Sequence, residues 1–248
     1  MKQSSLKNRP HGLSSTMMVL CLALGASGAG TAFAALQTIT TGANFDVSYD
    51  DALLGLFGAP SVSGSTISFT PTNFLAQSLN GVGTVPANST INLMLTAKNG
   101  FSFGSLALVE RGDYRLNGIG SSVSVGGQLA AFDQADPINS YSFSFITPSP
   151  ATPLTTNSNA LAPWIASTAL NVSQAPFFQP SKLNVTLQNV LTATTTAQGG
   201  LGSEAFIQKK FAGSPVVTLE VLAAPLPAAG WLVVAGALPL LRLVRRGT

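Results

Sequence analysis

Cysteine and histidine are almost missing from this 248-residue chain, which has one of each, Cys21 and His11. Charge is scarce too: Asp, Glu, Lys and Arg together make up 8%, where about 25% is usual. The N-terminus turns the first shortage into a complete one. Lys2, Lys7 and Arg9 are followed by the apolar run "MMVLCLALGASGAG", which closes on the small residues of "TAFA". That is the three-part order of a secretory signal, with Ala32 and Ala34 at the two small-residue positions before the cut. Cleavage by signal peptidase is expected after Ala34. Leu20 stands where a lipid-attachment cysteine would need a small residue before it, so Cys21 is not such a site.

Residues 1–34 therefore remove both Cys21 and His11, and the mature chain has neither. It can form no disulfide, no Ser-His-Asp triad, no cysteine nucleophile and no zinc site with Cys or His ligands. No metal and no cofactor are expected. The formal charge of +3 is also local to the ends. Between residues 35 and 221, six basic residues (Lys98, Arg111, Arg115, Lys182, Lys209, Lys210) face nine acidic ones, a net charge of −3. No basic stripe is available for phosphates, so nucleic acid is not a partner.

What the middle does have is alternation. Phe45, Val47 and Tyr49 are separated by polar residues, as are Ile67 and Phe69, and Ile91, Leu93 and Leu95. Val123 and Val125 repeat the scheme, as do Tyr141, Phe143 and Phe145; Leu183, Val185 and Leu187; and Val217, Leu219 and Val221. Period two over short runs predicts half-buried strands, each with one face on a core. Turn-forming residues punctuate them in "GAPSVSG", "NGVGTVPANS", "KNG", "VERGD", "VGG", "DQADPIN" and "AQGGLG".

The fold class this predicts is all-β, a single β-sandwich-like domain over 35–221. "DDALLGLFG" has room for a helical turn or two, and Pro163 limits any helix in "NSNALAPWIAST". Residues 146–163 form the best candidate for a long loop.

Site candidates in the middle are few. Glu110, Glu204 and Glu220 are the carboxylates from which a glycosidase pair would be drawn, but the simplest reading leaves them scattered on the surface. "YDD" (49–51) and "DQADPIN" (133–139) offer oxygen ligands of the kind calcium takes. Neither is a defined calcium loop, and turn capping by Asp explains both. The Arg-Gly-Asp at 111–113 reads as a turn between strands. Sequons at Asn88, Asn171 and Asn184 mark exposed positions. Phe177, Phe178, Trp164 and Tyr114 are the aromatic candidates for a sugar-binding cleft.

The C-terminus is more telling. From Val221 to Leu241 run 21 uncharged residues, enough to span hydrocarbon and far too long for one strand. Arg242, Arg245 and Arg246 follow and hold that end on the cytoplasmic side. Pro225, Leu226, Pro227 and Ala228 open the segment, and Trp231 begins its apolar run. A proline-containing motif, a short apolar helix and an arginine cluster at the end of an exported chain resemble the sorting tails of PEP-CTERM bacterial surface proteins. The match is to the variant with Val-Pro-Leu-Pro-Ala, although Ala224 stands here in place of the valine.

The resemblance spans about the last 25 residues of 222–248. It implies an exported precursor held transiently in the inner membrane, processed by an exosortase-type sorting protease, then carried to the cell surface or released. It also implies a setting of extracellular matrix or biofilm with exopolysaccharide as a further partner. A non-enzymatic structural or adhesive protein is therefore expected. A carbohydrate-binding module is the alternative, and a secreted glycoside-acting enzyme a more distant one.

Overall fold

The computed structural model describes residues 37–210 and 216–226. The expected signal cleavage at Ala32 and Ala34 lies outside the described residues, as do Pro227, Ala228, the apolar run and Arg242, Arg245 and Arg246.

Among the described residues alternation expresses itself as fourteen strands, numbered along the chain, in two antiparallel sheets. The first sheet is ordered β1 (Gln37–Thr41), β2 (Phe45–Asp50), β6 (Gly83–Ala97), β12 (Lys182–Thr195), β8 (Ser122–Asp133) and β9 (Ser142–Phe145). The second runs β10 (Thr147–Ser149), β11 (Ser158–Asn171), β7 (Phe101–Asn117), β14 (Val217–Pro225), β4 (Thr66–Phe69) and β3 (Ser61–Ser63). In this sheet β13 (Glu204–Gln208) pairs with the end of β7 that β14 leaves free, and with β5 (Leu75–Leu79) on its other side. Helical geometry among the described residues is limited to two 3-10 turns, Asp51–Leu53 and Ala197–Gly199. No described helix is long and apolar enough to cross a membrane.

The architecture is all-β and sandwich-like. Inward side chains of both sheets meet in one core: Ile91, Leu93 and Leu95 from β6 and Leu183, Val185 and Leu187 from β12 oppose Leu106 and Leu108 from β7 and Val217, Leu219 and Val221 from β14. Phe57 lies edge-on to Phe69 and Phe74, each at 5.6 Å between ring centres. Each such side chain contributes about 1.5–3 kcal/mol through burial, which a chain without disulfides depends on.

Several expected turns are strand instead. "VERGD" lies inside the 17-residue β7. Its glycine serves close packing rather than reversal: a Cβ on Gly112 would stand 2.0 Å from the Gln208 carbonyl oxygen and 2.6 Å from Trp164 Cζ2. "VGG" lies inside β8 for the same reason, since a Cβ on Gly127 would meet the Gln188 carbonyl at 2.1 Å. "VPANS" continues β6. Pro86 is tolerated because β2 borders only Phe45–Ser48 opposite Ala97–Met94, which leaves the start of β6 unpaired on that side.

The expected loop at 146–163 shrinks to the stretch between β10 and β11. "NSNALAPWIAST" is strand, not helix. Pro163 fits because β10 covers only Ile165–Ser167, so β11 is an edge where the proline lacks its N–H. The last strand also outlasts its expected end at Val221. Leu222 to Pro225 pair with Ser105 to Phe101 across a bulge, and Pro225 closes the strand rather than breaking it at its start.

Candidate functional site

The three carboxylates are not brought together. Glu110 points between the sheets and is fully buried, against the expectation of a surface residue, with its Oε2 accepting from Lys209 Nζ. Glu204 lies on the outer face of the second sheet, where Arg115 Nη2 donates to its Oε1 at 2.8 Å and Gln77 Nε2 donates to the same oxygen at 3.0 Å. The hydrogen bonds from Arg115 hold the Glu204 carboxyl below its ordinary range, against the opposing effect of burial. Glu220 is exposed, as its alternation implied.

Glu204 pairs with Asn117 and Glu220 with Ala107 along β7. Ten residues of strand separate those positions by about 33 Å at roughly 3.3 Å each. A glycosidase pair needs about 5–9.5 Å.

The acidic turns are explained by capping. Asp50 Oδ1 accepts from the Ala52 amide at 2.9 Å, Asp133 Oδ1 from Ala135 at 2.9 Å, and Asp136 Oδ1 from the amide of Asn139 at 3.3 Å. No group of three or more His, Cys, Asp or Glu suited to a metal occurs among the described residues. The Arg-Gly-Asp presents Arg111 and Asp113 outward from within β7, not from a turn. Burial pushes the Asp113 carboxyl up, with Lys210 opposing. Among the sequons, Asn88 and Asn171 are exposed and Asn184 is half-buried.

Of the four aromatic residues expected to line a sugar cleft, Phe177 and Trp164 are core and Tyr114 packs against it. Only Phe178 is free, 81% exposed, in the connection preceding β12. The exposed aromatics lie elsewhere. Tyr141, Phe143 and Phe145 were expected to face the core, yet they are 52%, 48% and 68% exposed. The other face of β9 turns inward: Thr168 Oγ1, on β11 of the opposite sheet, donates to Ser144 Oγ at 2.7 Å. Hydroxyls seal the gap between the sheets there, and the rings are left in water.

Those rings form a continuous strip along the free edge of the first sheet. Phe143 lies 6.1 Å from Tyr141 and 5.3 Å from Phe145 between ring centres. The register extends the strip into a surface. One cross-strand row reads Phe145, Gln128, Gln188 and Thr90 across β9, β8, β12 and β6. The next reads Phe143, Ala130, Thr186 and Asn92. A third continues from Phe132 through Asn184 and Met94 to Ser48 on β2.

Ala130, although on this outer face, is buried at the foot of the ring strip. Thr186 Oγ1 donates to Asn92 Oδ1 at 2.8 Å, which fixes the amide in place. None of these twelve positions carries a charge. Rings that stack on apolar faces, beside rows of amides and hydroxyls that both donate and accept, make a surface suited to neutral polyhydroxylated molecules.

The tail leaves the domain at a different place. Pro225 stands opposite Phe101, and the Leu226 amide donates to the Gly100 carbonyl at 2.8 Å. Leu226 helps to line a recess of about 370 Å³ with Lys98, Asn99, Phe101, Ser181 and Lys182. Half of the Pro225-Leu226-Pro227-Ala228 motif is therefore held against the turn between β6 and β7.

Comparison with known proteins identifies no relative: no protein-family model matches the chain, and no curated protein matches its sequence.

Proposed function

We propose that the chain is an exported, non-catalytic adhesive protein of the extracellular matrix, whose β domain binds neutral exopolysaccharide through the outer face of its first sheet. The observation that carries this reading is the exposed strip of Tyr141, Phe143 and Phe145 abutting charge-free rows of Gln, Asn and Thr side chains. A sugar ring stacks on the aromatic face while its hydroxyls exchange hydrogen bonds with Gln128, Gln188, Thr186 and Asn92. These groups stand on strands paired to their neighbours, which preorganises them and limits the entropy lost on binding. The rings stand mutually tilted rather than coplanar; that geometry favours a chain running along β9 over a flat crystalline surface.

The rest of the reading concerns the route. Signal peptidase cuts after Ala34, the apolar segment holds the precursor in the inner membrane, and an exosortase-type protease processes the tail near Pro225-Leu226-Pro227-Ala228. Because Pro225 and Leu226 are hydrogen-bonded or paired to the β6–β7 turn, such a protease works against the folded domain or peels the end of β14 first. Affinity electrophoresis of the mature protein through gels containing neutral polysaccharides (β-glucan, mannan, galactan, dextran) tests the binding reading. Retardation by at least one, and its loss in Phe143→Ala, is expected. Unaltered mobility in all of them, and in the polysaccharide of the native host, contradicts it.

A further inference from the structure

Lys209 and Glu110 form a charged pair in the interior of a fold that has no cysteine to staple it. Both side chains are fully inaccessible to solvent. Glu110 projects from β7 between the strand partners Ala166 and Val217. Lys209 follows β13, and its own amide donates to the Phe74 carbonyl at 2.8 Å, which fixes the base of its side chain. Its Nζ donates to Glu110 Oε2 and lies 5.3 Å from the ring centres of both Phe74 and Trp164.

As an ion pair this arrangement is poorly satisfied. An ammonium has three protons to donate, and the described surroundings of this one offer a single carboxylate oxygen and two ring faces. Glu110 Oε1 is buried with no hydrogen-bond partner, and so is Trp164 Nε1. Two charges out of water are stable only when their remaining donors and acceptors are met. Burial pushes the Lys209 ammonium down from its ordinary range, opposed by the charge and hydrogen bond of Glu110. The neutral form of such a pair is an amine in contact with a carboxylic acid, from which water is excluded.

We propose that Lys209 and Glu110 are joined in the folded protein by an intramolecular amide bond. The proton on the Nζ–Oε2 hydrogen bond passes to the carboxylate, leaving an amine with its lone pair. Nζ attacks Cδ of Glu110, the C–N bond forms and one C–O bond breaks. The departing oxygen leaves as water, carrying the carboxyl proton and one proton from Nζ. Nothing is oxidised or reduced, and no co-reactant is needed. The fold supplies proximity, which replaces a bimolecular encounter. The product needs no counter-charge, so the burial that strains the ion pair favours the amide. The bond would tie β7 to the segment after β13, across 99 residues of chain, as a disulfide would in an exported protein with cysteines.

This inference does not depend on glycan binding. Its test is the mass and peptide map of the full chain after export. The expected result is a polypeptide lighter by one water, resistant to trypsin after Lys209, that yields one branched peptide containing both Glu110 and Lys209. Chain recovered in denaturant without having folded should have the full mass and lose the water on refolding, and Lys209→Arg should never lose it. Full mass with ordinary cleavage after Lys209 overturns the proposal, and so does a water loss mapped to any other pair. The wild-type peptide map decides the matter even if the arginine variant does not fold.

Discussion

Replacing Phe143 by alanine tests the aromatic strip at its centre. The ring is half in water and touches Tyr141 on one side and Phe145 on the other, at 6.1 and 5.3 Å. Each ring–ring contact is worth about 0.5–1.5 kcal/mol, so the folded domain should lose about 1–3 kcal/mol. Against a usual stability of about 5–15 kcal/mol the variant stays folded. Binding should suffer more visibly. The middle ring of three is the one a sugar chain along β9 cannot avoid, and central aromatic anchors are worth about 1–2 kcal/mol or more. That corresponds to an affinity loss of about 5- to 30-fold.

Affinity electrophoresis or calorimetry with the retarding polysaccharide measures the loss, and urea unfolding followed by Trp164 fluorescence confirms the fold. Phe178→Ala provides the comparison, because that ring is more exposed yet lies off the sheet face; it should bind as the wild type does. Unchanged affinity in Phe143→Ala, or an equal loss in Phe178→Ala, would mean that the strip along β9 does not carry the binding.

Other expectations concern packing, pH and the tail. Gly112→Ala places a Cβ 2.0 Å from a backbone oxygen that cannot swing away, so urea unfolding should show a loss at or above the roughly 1–3 kcal/mol usual for overpacking; a neutral result would contradict the packed position of β13 against β7. The carboxyl of Glu204 is held down by Arg115, so its contribution is fully present above the unfolded value near 4.5 and is lost as pH falls through the folded one. Glu204→Gln should therefore flatten the acid limb of the stability profile below that pH, and an unchanged limb would show that the pair is not formed in solution. Mass spectrometry of the mature protein from its native host should find the C-terminus near Pro227; intact Thr248 in the membrane fraction would mean a permanent anchor instead.

The strands were legible because alternation is a direct record of half-burial, and Leu183 to Leu187 or Val217 to Val221 needed no further information. What period two does not record is which of its faces is buried. In "YSFSF" the aromatic set is the larger apolar one and alternation alone assigns it to the core, but it is Ser144 that meets Thr168 across the gap between sheets. Turn signals failed where glycine serves a neighbour. Gly112 and Gly127 make room for Trp164, Gln208, Gln188 and Ile146, residues distant in sequence, so only the tertiary structure explains them. Glu110 misled for a similar reason: it alternates with Leu108 on the inner face of β7, a pattern that would have placed it in the core had the strand been seen to run through "VERGD". The charge-free rows combine residues from β9, β8, β12 and β6 and depend on register, which no local pattern specifies.

Polysaccharide, by the function proposed above, is bound by the outer face of the first sheet. Amide chemical-shift mapping of the isotope-labelled mature protein, titrated with fragments of the polysaccharide that retards it, addresses that claim most directly. Shifts are expected to concentrate at 141–145 and at the neighbouring positions 128–132, 184–188 and 90–94. Shifts concentrated instead around Arg111, Pro163 and Ile165 on the second sheet, or absent altogether at saturating fragment, would contradict it.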